Sequence, residues 1–236
     1  MRFLQFETVY QMTFMPRTFP INCYLVEETD DLTLIDTGLE FCWKGILQAA
    51  AVIGKPITRI ALTHPHADHI GSLDKLKEQL PHAVVYVSER DSYLMRGDFT
   101  LRAGEVDLPI RGGFKKDLET QADIFISDGD FIGSLQAISA PGHTPGSIAF
   151  YDTRSKILIA GDALQTRGGL AVAGDTRISF PFPSLATWNK ELSIKSVERL
   201  NKLEIRFLAP GHGNVLQAPH DPMEQALLRA KTKLSR

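Results

Sequence analysis

The feature that most constrains this chain is a stretch of six residues, His64 to His69, which holds three histidines and one aspartate. Imidazole and carboxylate groups are common ligands of zinc and related divalent ions. In an extended or loosely coiled segment, alternate side chains point the same way, so His64, His66 and Asp68 would share one side and His69 would lie on the other. The stretch therefore predicts ligands for two adjacent metal ions rather than for one.

The flanking segments indicate where this stretch lies in the fold. Residues 56–62 form an apolar run typical of a buried strand, and Leu73, Leu76 and Leu80 follow at helical spacing. The histidine-rich stretch is thus predicted to form a loop between a strand and a helix. Loops at the carboxyl ends of strands are where open sheets usually bind ligands, so we expect the functional site there.

Length, composition and charge restrict the classes of protein that this chain can belong to. The 236 residues can bury a sizeable core, and we expect one domain over residues 1–236. The net charge of −2 and the scattered basic residues argue against nucleic-acid binding. No apolar run approaches the length of about 18 residues that a membrane span needs. Glu7 interrupts the first apolar residues too early for a signal peptide. We therefore expect a cytoplasmic protein that binds neither nucleic acid nor membrane.

Hydrophobic periodicity and turn signals predict the elements. Strands are expected over residues 3–14, 22–27, 32–35, 56–62, 83–87, 122–126, 131–138, 147–151, 156–160 and 205–208. Helices are expected over residues 40–53, 89–95, 185–203 and 222–235, and a further helix begins near Leu73. The Asp128-Gly129 turn and the turn at 152–155 fit β-hairpins. This order favours a layered α/β domain with helices outside two sheets.

Two irregular stretches interrupt this pattern. Residues 88–118 are polar and contain several glycines, and we interpret them as an insertion with one short helix. Such an insertion is either a lid or binding loop, or a surface excursion. Residues 164–184 form the second stretch, in which Phe180-Pro181-Phe182-Pro183 either lines a substrate pocket or packs the loop down.

Three later positions repeat one arrangement. His143, Asp162 and His212 each follow a glycine directly, and each lies just after an apolar run. Glycine gives the backbone the freedom to turn closely around an ion. A single residue of this kind would usually be structural. Three of them, together with the histidine-rich stretch, predict a metal centre built from distant parts of the chain.

With these residues identified, the sequence resembles the metallo-β-lactamase superfamily. Its HxHxDH motif is present as His64-x-His66-x-Asp68-His69, and the resemblance extends from Asp36-Thr37-Gly38 to His212. The resemblance implies an α/β (α+β) fold, a four-layer αββα sandwich with a two-metal site along the upper edge of both sheets.

The resemblance also implies a role for each site residue. The first metal ion would bind His64, His66 and His143, the second would bind Asp68, His69 and His212, and Asp162 would bridge the two. Asp36 would support the ligands without binding metal itself. Two divalent ions per chain are expected, zinc before iron or manganese.

Hydrolysis is the chemistry expected of such a site. Two metal ions about 3.5–4 Å apart can hold a bridging water and lower its pKa to about 7, so that a metal-bridging hydroxide attacks the substrate. Asp68 is expected to act as a catalytic residue that orients this water or accepts its proton. Since the superfamily cleaves several kinds of bond, the site does not name the substrate. We expect a small molecule with an ester, lactone or thioester bond.

Other functions stay open on the sequence. A persulfide-dioxygenase-like oxidoreductase would use one iron on His64, His66 and His143, and the presence of His69 with His212 disfavours it. A phosphodiesterase or β-lactam hydrolase of the same superfamily would share the metal site. A binding module that holds metal without turnover is the third alternative, which the complete ligand set disfavours.

Overall fold

Two β-sheets packed face to face form the centre of the protein, whose computed structural model describes residues 1–235. Seven strands form the first sheet, in this spatial order: β1 (Arg2–Phe6), β2 (Val9–Phe14), β3 (Ile21–Glu27), β4 (Leu32–Ile35), β5 (Ile57–Ala61), β6 (Val84–Ser88) and β7 (Ile124–Ile126). Strands β1 to β4 pair antiparallel. Strands β4 to β7 pair parallel.

The second sheet is built from the later part of the chain. The strands of this part are β8 (Phe131–Ile132), β9 (Leu135–Ser139), β10 (Ile148–Asp152), β11 (Ile157–Gly161), β12 (Leu164–Gln165), β13 (Ala171–Val172), β14 (Phe207–Pro210) and β15 (Leu216–Gln217). Six of them form the sheet in the order β15-β14-β11-β10-β9-β8, and β12 pairs only with β13. The pairing of β11 with β14 is parallel, and the others in this sheet are antiparallel.

Helices cover the outer faces of both sheets. The α-helices are α1 (Trp43–Ile53), α2 (Ala67–Ile70), α3 (Leu73–Gln79), α4 (Glu89–Met95), α5 (Phe182–Leu185), α6 (Lys190–Leu200) and α7 (His220–Leu234), and a 3₁₀ turn (Glu40–Cys42) precedes α1. Helices α1 and α3 pack on the first sheet, and α6 and α7 on the second. The arrangement is the four-layer αββα sandwich, which confirms the predicted fold class.

Alternation along the strands explains how each sheet holds two apolar layers. In β3, Cys23 and Leu25 face the helices, while Tyr24 and Val26 face the other sheet. The same alternation holds in β10, where successive residues belong to the outer and the inner layer in turn. Side chains alternate between faces along a strand, so a strand that is apolar throughout is buried on both faces.

Some predicted elements have different bounds in the structure. The predicted strand 3–14 is divided into β1 and β2, because Glu7 adopts a left-handed conformation (φ 54°) and reverses the chain. The predicted strand 131–138 is likewise divided at Gly133 (φ 59°) into β8 and β9. The long helix predicted over 185–203 is α6, which begins only after Asn189, whose side chain accepts a hydrogen bond from the Leu192 N–H.

One predicted hairpin is wrong. The Asp128-Gly129 turn does not join paired strands, because β7 lies in the first sheet and β8 in the second. The turn instead carries the chain from one sheet to the other. A turn signal in sequence specifies a local reversal of the chain and not the partner of the strand that follows. None of the helices within residues 1–235 combines the length and apolar character that crossing a membrane requires.

Candidate metal centre

Four loops that follow strands converge at one edge of the two sheets. They follow β5, β9, β11 and β14, and together they carry the seven predicted ligands. His64 and His66 lie in the extended part of the first loop, whereas Asp68 and His69 belong to the helical turn α2. The predicted alternation of an extended segment therefore ends at His66, and the helical turn directs Asp68 and His69 to their positions.

The structure brings the ligands predicted for the first metal together. His64, His66 and His143 are buried, and one ring nitrogen of each lies within 4.8 Å of the others. His66 Nδ1 is 3.0 Å from His143 Nε2. These two residues are far apart in the sequence, so the contact depends on the packing of the two sheets.

The ligands predicted for the second metal form an adjacent group. Asp68, His69 and His212 each place one ligand atom within 4.8 Å of the others. His212 Nε2 lies 3.3 Å from Asp68 Oδ2. Asp68 is the most exposed member of this group, with 23% of its side chain accessible, so it borders the solvent.

Asp162 lies between the two groups. Its Oδ2 is 3.5 Å from His143 Nε2 and 3.3 Å from His212 Nε2. Its Oδ1 is 3.4 Å from His69 Nε2. One carboxylate therefore contacts members of both groups, which is the position that a bridging ligand requires.

Three buried polar atoms at this centre fit a metal site. Within the described chain, His64 Nε2, His69 Nε2 and Asp162 Oδ1 have no hydrogen-bond partner. The same three residues form a third group whose ligand atoms lie within 4.8 Å of one another. A buried polar atom without a partner costs about 1–3 kcal/mol, so three of them at one point require a compensating ligand. Imidazole and carboxylate donors fit zinc, iron or manganese.

The five histidines are all held by their other ring nitrogen. The partners are Thr63 Oγ1 for His64 Nδ1, the Arg111 carbonyl for His66 Nε2, Asp36 Oδ2 for His69 Nδ1, Thr187 Oγ1 for His143 Nδ1 and the Pro20 carbonyl for His212 Nδ1. Carbonyl and carboxylate oxygens can only accept hydrogen bonds. The hydroxyl groups of Thr63 and Thr187 already donate their protons to other acceptors, so towards the histidines they too act as acceptors. We therefore assign a proton to each of these nitrogens, which leaves the opposite nitrogen free to bind a metal.

Asp36, for which a supporting role is predicted, contacts His69 and Thr63. Its carboxylate accepts hydrogen bonds from His69 Nδ1 (2.7 Å) and from the backbone N–H and hydroxyl of Thr63 (2.8 Å each). Asp36 adopts a left-handed backbone conformation (φ 58°), which is unfavourable for a residue other than glycine. The three hydrogen bonds compensate this strain and direct His69 Nε2 towards Asp162.

Burial and neighbouring charges divide the histidines into two electrostatic classes. Burial lowers the pKa of His143 to about 3 and holds the pKa of His64 well below its ordinary value. Burial also opposes the charged form of His212, but the negative charges of Asp162 and Asp68 outweigh it and raise the pKa of His212 to about 10. The histidines of the first group are thus neutral at pH 7, as metal ligands must be, whereas His212 holds a second proton beside the two carboxylates, which a metal ion that binds there would displace.

The sequence reasoning missed Asp91, which supports the loop that carries His143. Asp91 is fully buried and accepts hydrogen bonds from Thr144 Oγ1 and from the Gly146 N–H. Burial raises the pKa of its carboxyl to about 7, although both hydrogen bonds lower it. Its sequence context, a short polar helix, held no signal of this contact, because the partner loop lies more than fifty residues away.

The predicted insertion contacts the centre through Arg111, Gly112 and Phe114. His66 Nε2 donates to the Arg111 carbonyl at 2.9 Å, and the Phe114 ring lies 4.8 Å from the His66 ring. Gly112 has a φ of 117°, and a β-carbon added there would lie 2.0 Å from His66 Nε2. This part of the insertion therefore packs directly on a predicted metal ligand.

We expect the substitution Gly112→Ala to lower the affinity of the centre for metal by about 10- to 100-fold, the usual effect of disturbing a group that orients a ligand. The added methyl group collides with the His66 ring and is strained at this positive φ. Competition with a chromophoric chelator measures the affinity. Gly113→Ala is the matched control, because a β-carbon there meets nothing within 4 Å. An unchanged affinity in the Gly112 variant would contradict this role.

Comparison with known proteins agrees with this geometry. The profile of the metallo-beta-lactamase superfamily matches residues 16–212. The chain therefore belongs to the metallo-beta-lactamase superfamily. Uncharacterized protein YobT of Bacillus subtilis (strain 168) is 52% identical over 231 residues, which are 98% of this chain and 99% of that protein.

Two further relatives have a named activity or a bound metal. Hydroxyacylglutathione hydrolase GloC of Haemophilus influenzae is 24% identical over 217 residues, 91% of this chain and 95% of that protein. The crystal structure of TTHA1623 in a di-iron-bound form superposes with a TM-score of 0.67 at 27% identity, and the match covers 89% of this chain and 96% of that one. The relatives thus include a hydrolase and a protein that binds two iron ions.

Proposed function

We propose that this protein is a metal-dependent hydrolase that cleaves an ester, lactone or thioester bond in a small molecule. The observation that carries the proposal is the convergence of His64 Nε2, His69 Nε2 and Asp162 Oδ1, which are buried without partners between two groups of ligands. The centre opens on a cavity of about 420 Å³, whose walls include Asp68, Asp162 and His212. A small substrate can therefore reach the centre.

The number of ligands supports a centre for two divalent ions. Asp68, His69 and His212 form a complete second group, which a single-iron dioxygenase would not need. We propose zinc as the metal, and the di-iron form of TTHA1623 makes iron the alternative to test. Elemental analysis of the purified protein distinguishes these cases, since one iron per chain would favour the oxidoreductase.

The proposed hydrolysis needs both the bound metal ions and a residue that orients the attacking water. Divalent ions held by the seven predicted ligands would lower the pKa of a bound water molecule to about 7 and would polarise the carbonyl group of the substrate. Asp68 is the ligand that borders the cavity, and the charges of His69 and His212 lower the pKa of its carboxyl even though burial opposes this. An ionised Asp68 accepts a hydrogen bond from the attacking water and orients it towards the substrate.

A panel of substrates tests the proposal. The protein loaded with zinc or with iron is assayed on p-nitrophenyl butyrate, a six-carbon lactone and S-lactoylglutathione. We expect turnover of at least one of them well above that of the free metal, and its loss on chelation. The Asp68→Ala variant should lose turnover or metal content. Full retention of both by this variant would contradict the role of Asp68, and no turnover on any member of the panel would contradict the proposed function.

A further inference from the structure

Three phenylalanines form one wall beside the second ligand group. The ring of Phe19 lies 5.0 Å from the rings of Phe180 and Phe182, and the last two rings are 5.3 Å apart. Phe19 and Phe180 each lie 5.3 Å from the ring of His212. The aromatic wall, formed by Phe19, Phe180 and Phe182, is therefore continuous with the candidate metal centre.

The members of this wall differ in their exposure. Phe180 is only 1% exposed and packs the loop against the protein, whereas Phe182 is 51% exposed. Leu185, one turn further along, is 63% exposed. Of the two interpretations left open for the Phe180-Pro181-Phe182-Pro183 segment, each thus applies to one phenylalanine. Large apolar side chains exposed together beside a cavity mark a surface that binds an apolar ligand.

Within residues 1–235, the cavity combines these side chains with an absence of lysine and arginine. Its apolar walls away from the ligands include Phe19, Leu39, Phe182, Pro183, Leu185 and Ala186. Across the described residues, no lysine or arginine lines it, and Arg111 lines a neighbouring groove instead. A negatively charged substituent on the acyl chain would lose its hydration here without gaining a cationic partner, which is unfavourable.

We propose that Phe19, Phe182 and Leu185 form a subsite for the acyl chain of the substrate, and that this chain is apolar and uncharged. The inference rests on the proposed function, because it places the carbonyl group of the substrate at the metal centre. Phe182 is the specificity-determining residue, since its ring is half exposed, packs against Phe19 and lines the cavity together with Leu185.

Binding of hydroxamates tests the subsite without turnover. Hydroxamates chelate metal ions, and their alkyl chains would extend along the aromatic wall of the metal-loaded protein. Each buried methylene strengthens binding by up to about fourfold, so we expect hexanohydroxamate to bind at least about tenfold more tightly than acetohydroxamate by calorimetry. A succinate-derived hydroxamate that ends in a carboxylate should bind at least about tenfold more weakly than the uncharged hydroxamate of equal length.

A pair of phenylalanine variants locates this preference. Phe182→Ala should reduce the advantage of hexanohydroxamate over acetohydroxamate by about fivefold, because the alkyl chain loses its main contact. Phe131→Ala is the matched control, since Phe131 is 61% exposed but lies on β8 and does not line the cavity. It should change neither affinity.

The outcomes separate this inference from the proposed function. Equal binding of short and long chains, equal binding of the charged chain, or an unchanged preference in the Phe182 variant would overturn the subsite. If the chain-length preference is found but no ester, lactone or thioester is cleaved, the apolar ligand subsite stands, whereas the proposed function and the assignment of the subsite to an acyl chain fail. If p-nitrophenyl acetate and hexanoate are cleaved with equal kcat/KM and the hydroxamates bind equally, the inference fails and the proposed function stands.

Discussion

The Asp162→Asn variant is expected to lose at least about 100-fold in turnover and to bind fewer than two metal ions per chain. Removing a group that only orients a ligand already costs about 10- to 100-fold, and Asp162 contacts both ligand groups directly. The amide has no negative charge and only one acceptor oxygen, so it cannot serve both groups. Elemental analysis measures the metal content, and steady-state kinetics on the best substrate of the panel measures turnover.

A second aspartate provides the control for this variant. Asp128 forms an exposed ion pair with Arg199, so Asp128→Asn should leave turnover and metal content unchanged. Circular dichroism of both variants shows whether the fold is retained. Should the Asp162 variant keep two metal ions and full turnover, the bridging position inferred for this carboxylate is wrong.

Removal of the metal is expected to lower the melting temperature by about 10 °C. A ligand that binds only the folded state at about 1,000 times its dissociation constant stabilises it by about 4 kcal/mol. For a chain of this size, each kcal/mol corresponds to about 2–4 °C. The physical reason lies in the centre itself, where five histidines and two aspartates are gathered and three of their atoms have no partner in the described chain. Thermal unfolding before and after dialysis against a chelator measures the shift.

Two histidine variants show whether this shift arises at the centre. His64→Ala removes a buried predicted ligand, so chelation should then change the melting temperature by much less than in the unmodified protein. His82→Ala removes an exposed histidine outside the centre, so the full shift should remain. An unchanged melting temperature after metal analysis confirms complete removal would show that the fold does not depend on the metal.

The sequence alone determined the fold class and the kinds of side chain available for chemistry. Alternating and continuous apolar residues predicted most strands, because the pattern of apolar residues along a strand shows whether one or both of its faces are buried. The helix predicted over 40–53 ends before Gly54, which adopts the left-handed conformation that such a helix end uses. The HxHxDH motif and the later residues His143, Asp162 and His212 predicted a metal centre, since ligand chemistry depends on residue type.

Only the tertiary structure decided which distant groups meet at that centre. It placed β7 and β8 in different sheets and brought the Arg111 carbonyl within hydrogen-bond distance of His66. It also buried Asp91 beneath the His143 loop and left Phe182 exposed beside the cavity while covering Phe180. Each of these contacts joins segments far apart in the chain. These contacts form only when the sheets and loops pack together. A local sequence pattern shows whether a residue is apolar, charged or able to bind metal, but it does not show which distant residue it will contact.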